Sequence, residues 1–230
     1  MEDLARRIEE GRAMLRARFA DRMARTPSLA DPAPLGEGPR NRHGMPRVPP
    51  GQNEFEKSEW PVLELGDQPE IPTDRWKLSV DGACQSPLAL RWADLLALPQ
   101  VDVQSDFHCV TGWSVLDLAF RGVRLEDVLA LARPSAEATH LMAHGSDGYS
   151  TNLPLEEALK PDVLLAHSVE GRPLGRERGG PVRVVTPQLY AWKGAKWVSR
   201  LELMTQDRRG YWEIRGYSNT GYPWRDDRMW

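Results

Sequence analysis

At 230 residues, 40% apolar and 27% charged, the chain is long enough to bury one sizeable core beneath a soluble surface. A formal net charge of −3 supplies none of the basic field used for nucleic-acid binding, and no run approaches the roughly 18 apolar residues of a membrane span. Two cysteines, Cys84 and Cys109, are too few for a disulfide framework. Arg6-Arg7 is followed by no apolar stretch, so neither a secretory nor a twin-arginine signal is read. The expected compartment is the cytoplasm, where both cysteines are thiols unless something ligates them.

Along residues 1–26, Leu4, Ile8, Leu15, Phe19 and Met23 fall at helical spacing and predict an amphipathic helix with one thin apolar stripe, ended by Thr26-Pro27. Packing of that stripe onto the domain is the simpler reading, and docking of a partner the other. Residues 27–51 are rich in proline and glycine and read as an extended arm. The domain proper is placed at 52–230. Trp76 to Val80 alternates as a half-buried strand, Asp81-Gly82 reads as a hairpin turn, and Leu88 to Leu90 pairs back. A short helix, Trp92 to Leu98, stops at Pro99. A strand from Val101 leads into Phe107-His108-Cys109, and Leu125 to Ala132 is helical. Leu141 to Ala143, Val163 to Ala166, Pro181 to Val185 and Trp197 to Met204 complete the apolar strand-like runs, with a helical turn at Leu155 to Leu159. Without a regular βαβ repeat this mixture predicts an α+β fold with a mixed β-sheet and short helices. Nine Trp residues, several of them late (Trp192, Trp197, Trp212, Trp224, Trp230), predict a C-terminal tail that packs by burying large rings.

Two segments hold the residues suited to chemistry. In Asp106-Phe107-His108-Cys109-Val110-Thr111-Gly112-Trp113 a cysteine ends a strand before a glycine turn, where a backbone can present one side chain into a cleft. Three readings of Cys109 stay open: a buried structural thiol, a nucleophile, or a single thiolate ligand for a soft, redox-active metal. His108, the neighbouring residue in the strand, points to the opposite face and is badly placed to deprotonate Cys109, whereas another histidine, such as His144, could do so. Zinc is disfavoured because no second Cys or His lies at the usual short spacing. The other segment joins Gly179-Gly180-Pro181-Val182-Arg183 to Trp192-Lys193-Gly194-Ala195-Lys196-Trp197. Small residues that let a ligand approach the backbone, beside Arg and Lys, form a candidate anion cradle.

Together with Gly210-Tyr211-Trp212-Glu213, and in the same order, these segments closely resemble the molybdopterin-binding domain of the sulfite oxidase family. They are most similar to its compact bacterial sulfite oxidase-like oxidoreductases, and methionine-sulfoxide reductase catalytic subunits are more distant. The likeness runs from about Pro49 to the C-terminus. It implies the sulfite-oxidase-type α+β fold around one molybdopterin, with Cys109 as the protein ligand to molybdenum and the catalytic residue. It implies cofactor contacts at Gln52, His108, Cys109, His144, Arg178, Arg183, Gly194, Ala195 and Lys196. Of these, Arg183 and Lys196 match the family by residue type, while His144 and Arg178 fall where the sulfoxide reductases carry a Thr and an Asn. It further implies oxygen-atom transfer on a small-molecule substrate, with electrons exchanged with a separate redox partner, and it leaves self-association open. About 26 residues follow Met204, fewer than an immunoglobulin-like dimerisation domain of the sulfite oxidases would need. Two rival readings are a binding module without turnover and a metal-free thiol enzyme using Cys109. Cys84 and the aromatic neighbours Trp113 and Tyr149 are read as structural and pocket-shaping.

Overall fold

A computed structural model describes residues 2–24 and 34–229; the predicted helix stop at Thr26-Pro27, Pro32 and Trp230 lie outside the described residues. Helix α1 (Glu2–Ala24) buries Ile8, Leu15 and Phe19, one side of its stripe, against the domain. Its partner is a later helix whose Ala130 lies so near Gly11 that a β-carbon there would sit 2.7 Å from Ala130 Cβ. Two charge pairs flank the seam: Arg12 on Asp127 and Arg16 on Glu126, both carboxylates having no exposed side-chain surface. Bidentate, charge-assisted contacts of this kind satisfy carboxylates that could not otherwise be buried. The thin stripe is therefore a packing face. Leu15→Ala is expected to lower the unfolding free energy by about 2–5 kcal/mol, measured by denaturant titration.

The proline- and glycine-rich stretch is folded from residue 34 onward. Strands β1 (Glu37–Arg40) and β2 (Pro46–Val48) pair antiparallel. The Asn41 side chain closes their turn by accepting from the backbone N–H groups of His43 and Met45. The buried Met45 and the indole of Trp224, which donates to the Pro46 carbonyl at 2.6 Å, fasten this hairpin to the C-terminal tail. Strand β3 (Asn53–Phe55) follows, and then β4 (Lys77–Gly82) and β5 (Leu88–Arg91) pair antiparallel. The chain does not reverse at Asp81-Gly82 as its composition predicts. β4 runs through Gly82, whose positive φ of 85° and contact with Leu203 are both open only to glycine, and residues 83–87 make the connection.

Helix α2 (Trp92–Ala97) leads into β6 (Gln100–Cys109) and β7 (Trp113–Arg124), a long antiparallel pair. Alternation in β7 is confined to residues 118–122, because Trp113, Ser114 and Val115 are buried in succession and Asp117, at φ 58°, bulges the strand opposite Asp106. Helix α3 (Leu125–Ala132) is buried along its whole length beneath α1. The remaining elements are β8 (His140–Gly145), β9 (Ser150–Pro154), α4 (Leu155–Ala158), β10 (Leu164–Val169), β11 (Arg172–Pro173), β12 (Arg183–Val185) and β13 (Val198–Met204).

Two mixed sheets result. One runs β5-β4-β13-β8-β9, parallel only at β4–β13. The other runs β11-β10-β7-β3, with β6 on β7 and β12 on β10, parallel only at β3–β7. The larger core lies among α1, α3 and the first sheet. A smaller core of Trp60, Trp113, Phe120 and Leu164 backs the second, at whose end Cys109 stands.

Candidate active site

Cys109 is the last residue of β6. The Val110-Thr111-Gly112 turn, in which Gly112 takes φ 92° and its N–H bonds the Cys109 carbonyl at 3.1 Å, delivers the chain into β7. The Cys109 sulfur lies 3.1 Å from Thr111 Oγ1 and lines an open cavity of about 840 Å³. The residue is only 6% exposed, and burial raises its thiol pKa, offset in part by the Thr111 hydrogen bond. A thiol in that state needs a positive partner to ionise.

His108 points the other way, as strand alternation requires. It is buried edge-on to Trp224, with ring centroids 5.3 Å apart, and burial lowers its pKa to about 4. Its Nδ1 meets Ser114 Oγ at 2.8 Å, and Ser114 donates to Gln52 Oε1 at 3.1 Å. The hydroxyl proton is thus committed to Gln52, so Nδ1 carries the imidazole proton and donates it to Ser114. Gln52 in turn donates to the Cys109 carbonyl at 3.1 Å. Neither Gln52 nor His108 lines the cavity; together they hold the backbone that carries Cys109.

The same lining carries three cations. Arg178, at the end of a short 3₁₀ turn, Arg183 at the start of β12, and Lys196 all line the same cavity as Cys109, as does Gly194. Among the described residues none of the three cations is paired with a carboxylate; their partners are carbonyl oxygens. Arg178 donates to Trp60 and Pro61, Arg183 to Arg178 and Gly194, and Lys196 to Leu63 at 2.7 Å and Glu177 at 2.8 Å. Burial, then mutual repulsion, lowers Arg183 to about 10 and Lys196 to about 8. Groups so depressed mark a place that favours an incoming anion. A β-carbon on Gly194 would lie 2.5 Å from the Val184 carbonyl, so only glycine lets this segment pack against β12. The indole N–H of Trp197, on the same wall, is buried without a hydrogen-bond partner among the described residues.

Two predicted contacts lie apart. His144 sits on the first sheet, 3.3 Å from Glu202, and does not reach the cavity; the turn after it does, through Asp147 and Tyr149. Ala195 is buried between its neighbours and accepts the Val184 N–H at 2.9 Å, a contact internal to the wall. Trp113 lines the cavity as expected. Trp60, Glu64 and Tyr217 also line it, unanticipated, because they come from loops with no periodicity. Trp212 was marked by the Gly210-to-Glu213 motif.

Beneath this aromatic wall lies a buried ion pair. Lys193 and Glu213 are wholly unexposed and 2.6 Å apart. Lys193 also donates to Asn152 Oδ1 at 3.0 Å and the Asn219 carbonyl at 2.8 Å, while Glu213 accepts from Thr151 at 2.8 Å and Trp192 Nε1 at 3.1 Å. Trp192, a cavity-lining ring, is thus tied to the tail.

The arrangement suits an anionic, flat, phosphate-bearing ligand that brings a soft cation to a thiolate: one lining holds a soft donor, three cations that outnumber its two carboxylates Glu64 and Asp147, an unpaired N–H and several rings. The metal-free thiol reading fares worse, since among the described residues no histidine lines the cavity. Comparison with known proteins decides. The model of the oxidoreductase molybdopterin-binding domain family matches residues 65–212. The uncharacterized oxidoreductase YuiH of Bacillus subtilis is 40% identical over 184 residues, covering 80% of this chain and 92% of YuiH.

The chain belongs to the sulfite oxidase family of molybdopterin-binding oxidoreductases.

Other relatives include rat mitochondrial sulfite oxidase, 30% identical over 65% of this chain and 33% of that protein. The protein-methionine-sulfoxide reductase catalytic subunit MsrP of Campylobacter jejuni is 28% identical over 65% of this chain and 56% of its own length. The chain therefore spans nearly all of YuiH but only about half of MsrP and a third of sulfite oxidase. The sulfane dehydrogenase SoxCD of Paracoccus pantotrophus superposes with a TM-score of 0.56 at 25% identity, covering 60% of this chain and 40% of that one. The two mixed sheets with short helices are thus the sulfite-oxidase-type fold, and molybdopterin with molybdenum is the family's cofactor.

Proposed function

We propose that this chain performs oxygen-atom transfer on a small oxo-anion or sulfoxide, exchanging two electrons with a separate redox protein. The observation that carries the reading is the placement of the Cys109 sulfur in one cavity with Arg178, Arg183 and Lys196. Cys109 would supply the thiolate to molybdenum. Arg183 and Lys196 would hold the pterin's phosphate, with Arg178 and Gly194 beside them. When bound, the cofactor supplies a two-electron centre at which an oxygen atom is gained or lost. The chain's own part is to bind, orient and exclude water. Gln52, Ser114 and His108 fix the backbone that carries the sulfur, and the Trp60, Trp113 and Trp192 rings close the sides. The cations neutralise the anionic ligand.

Lys196 gives this reading a pH signature. It is charged below about 8 and neutral above, while Arg183 keeps its charge to about 10. Affinity of the cofactor-free chain for the pterin phosphate is therefore expected to be greatest below pH 8. It should fall about tenfold between 8 and 10 as one charge-assisted contact is lost. Lys196→Met, titrated alongside, should be weaker at the start and nearly flat until Arg183 begins to lose its charge close to pH 10.

The relatives' names extend the reading. MsrP is a catalytic subunit, by name one part of a larger enzyme, and the electron partner proposed here plays the corresponding part. The cytoplasm is proposed as the compartment, and self-association remains part of the proposal. Among the described residues no helix is long and apolar enough to cross a membrane. The test is turnover of purified, cofactor-loaded chain with sulfite, methionine sulfoxide and S- and N-oxides under artificial electron donors and acceptors. Molybdenum-replete protein inert towards all of them would favour a binding module instead.

A further inference from the structure

The Val110-Thr111-Gly112 turn after Cys109 lies against the Pro50-Gly51-Gln52 segment, and Asn53 joins the two by donating its N–H to the Gly112 carbonyl at 2.9 Å. Both act on the backbone that carries the sulfur. One leads it into β7, and from the other Gln52 donates to the Cys109 carbonyl. Where they meet, the carbonyl oxygens of Val110, Pro50 and Gly51 converge on a single side chain. Arg228, from the C-terminal tail, donates to Val110 at 2.6 Å, to Pro50 at 3.0 Å and to Gly51 at 3.4 Å.

Carbonyls turned towards one point repel each other unless a group with several donors stands between them. A guanidinium brings five N–H groups in a fixed fork. Asp226 engages Arg228 Nε at 2.5 Å and so sets the plane of that fork, leaving the arginine side chain 24% exposed. The tail that delivers it is itself tied down. Asp227 accepts the N–H groups of Gly221 at 2.9 Å and Tyr222 at 3.3 Å, and the Arg228 carbonyl accepts the Ser218 N–H at 2.9 Å. The Trp224 indole fastens the same tail to Pro46. Arg228 is not among the residues that line the cavity; it reaches the Cys109 turn from outside.

We infer that Arg228 is a positioning residue for Cys109, pinning the Val110 turn so that the sulfur keeps a fixed direction into the cavity. Its role rests on Cys109 being the molybdenum ligand, as proposed above. Partners that orient a ligand without touching the metal set how tightly and at what angle the donor binds. A turn freed from the arginine would let the sulfur swing.

The experiment compares the full wild-type chain with Arg228→Met, which removes every donor, and with Arg228→Lys, which keeps a charge and three donors. Hydrogen exchange of the peptide spanning residues 109–113, followed by mass spectrometry with and without cofactor, should quicken about tenfold in Arg228→Met. That is the worth of one hydrogen bond from a charged group. The loaded Met variant should keep its pterin, since Arg183 and Lys196 are untouched, but hold molybdenum about tenfold less tightly. The paramagnetic resonance of the metal reduced by one electron senses the direction of the sulfur donor, and it should shift. Turnover kcat should fall with KM unchanged. Arg228→Lys should restore exchange and resonance most of the way to wild type, and it keeps the test open if the Met variant folds poorly. Exchange at the wild-type rate in both variants overturns the inference. So does faster exchange with wild-type molybdenum affinity and an unchanged resonance, because the arginine would then support the tail alone. A wild-type chain that takes up no molybdenum counts against the function proposed above, and the exchange without cofactor still decides whether Arg228 holds the turn.

Discussion

Cys109→Ser is expected to yield a folded chain that has lost its molybdenum. The substitution is nearly isosteric and leaves the Thr111 contact and the Gln52 hold on the backbone in place, so the thermal unfolding curve should barely move. What changes is the donor. A thiolate is soft and ionises readily once a cation sits beside it, whereas a buried serine hydroxyl is harder and ionises far less readily. Turnover should fall at least about 100-fold, the upper end of what losing a mere supporting partner of a ligand costs. Because Arg183 and Lys196 are untouched, part of the pterin should remain with the protein. Metal analysis and pterin fluorescence on the same preparation read the two losses separately. Wild-type molybdenum content in the serine variant would remove Cys109 from the metal site.

Lys193→Met should be the most destabilising of the single changes considered. Methionine matches the length of the lysine but leaves Glu213 unexposed and deprived of its cation, in a place where one of its oxygens already lacks a partner among the described residues. Breaking a buried pair in this way costs about 3–5 kcal/mol. Removing both charges is a different matter: Lys193→Met with Glu213→Leu should recover most of the loss, because two apolar groups of similar volume need no solvation. Cofactor retention should still be impaired in the double variant, since Trp192 loses the carboxylate that orients its indole. Denaturant titration of both singles and the double gives the coupling energy directly. Should Lys193→Met cost less than about 1 kcal/mol, the pair does not clamp the aromatic wall.

Legibility differed from residue to residue for physical reasons. Cys109 could be found because a strand pattern, a sulfur and a glycine turn occur in immediate succession, and each is a local property. Arg183 and Lys196 were reached through ordered motifs, and the structure brings them to the same cavity. His144 was placed by alignment of position alone. Strand β8 pairs with β13 and spends the histidine on Glu202, while the following turn, at Asp147 and Tyr149, faces the cavity. Gln52 and His108 lie next to the site in space but behind it, a distinction that depends on which face of β6 is covered by Trp224. Strand β7 is hard to read because its first three residues are buried in succession and the Asp117 bulge breaks the strand before the short alternation at residues 118–122.

The sequence by itself determined the pieces whose information is short-range: the amphipathic α1, the strand that ends in Cys109, the glycine-bounded cationic segment and the α+β class. Tertiary structure alone decided what those pieces meet. It brought the cations of one late segment into the same cavity as Cys109, buried Lys193 on Glu213, and folded a proline-rich stretch back so that His43 meets Asp162. Periodicity and turn chemistry act over a few residues, whereas burial, which sets both charge compensation and pKa, is a property of every segment that closes over a group.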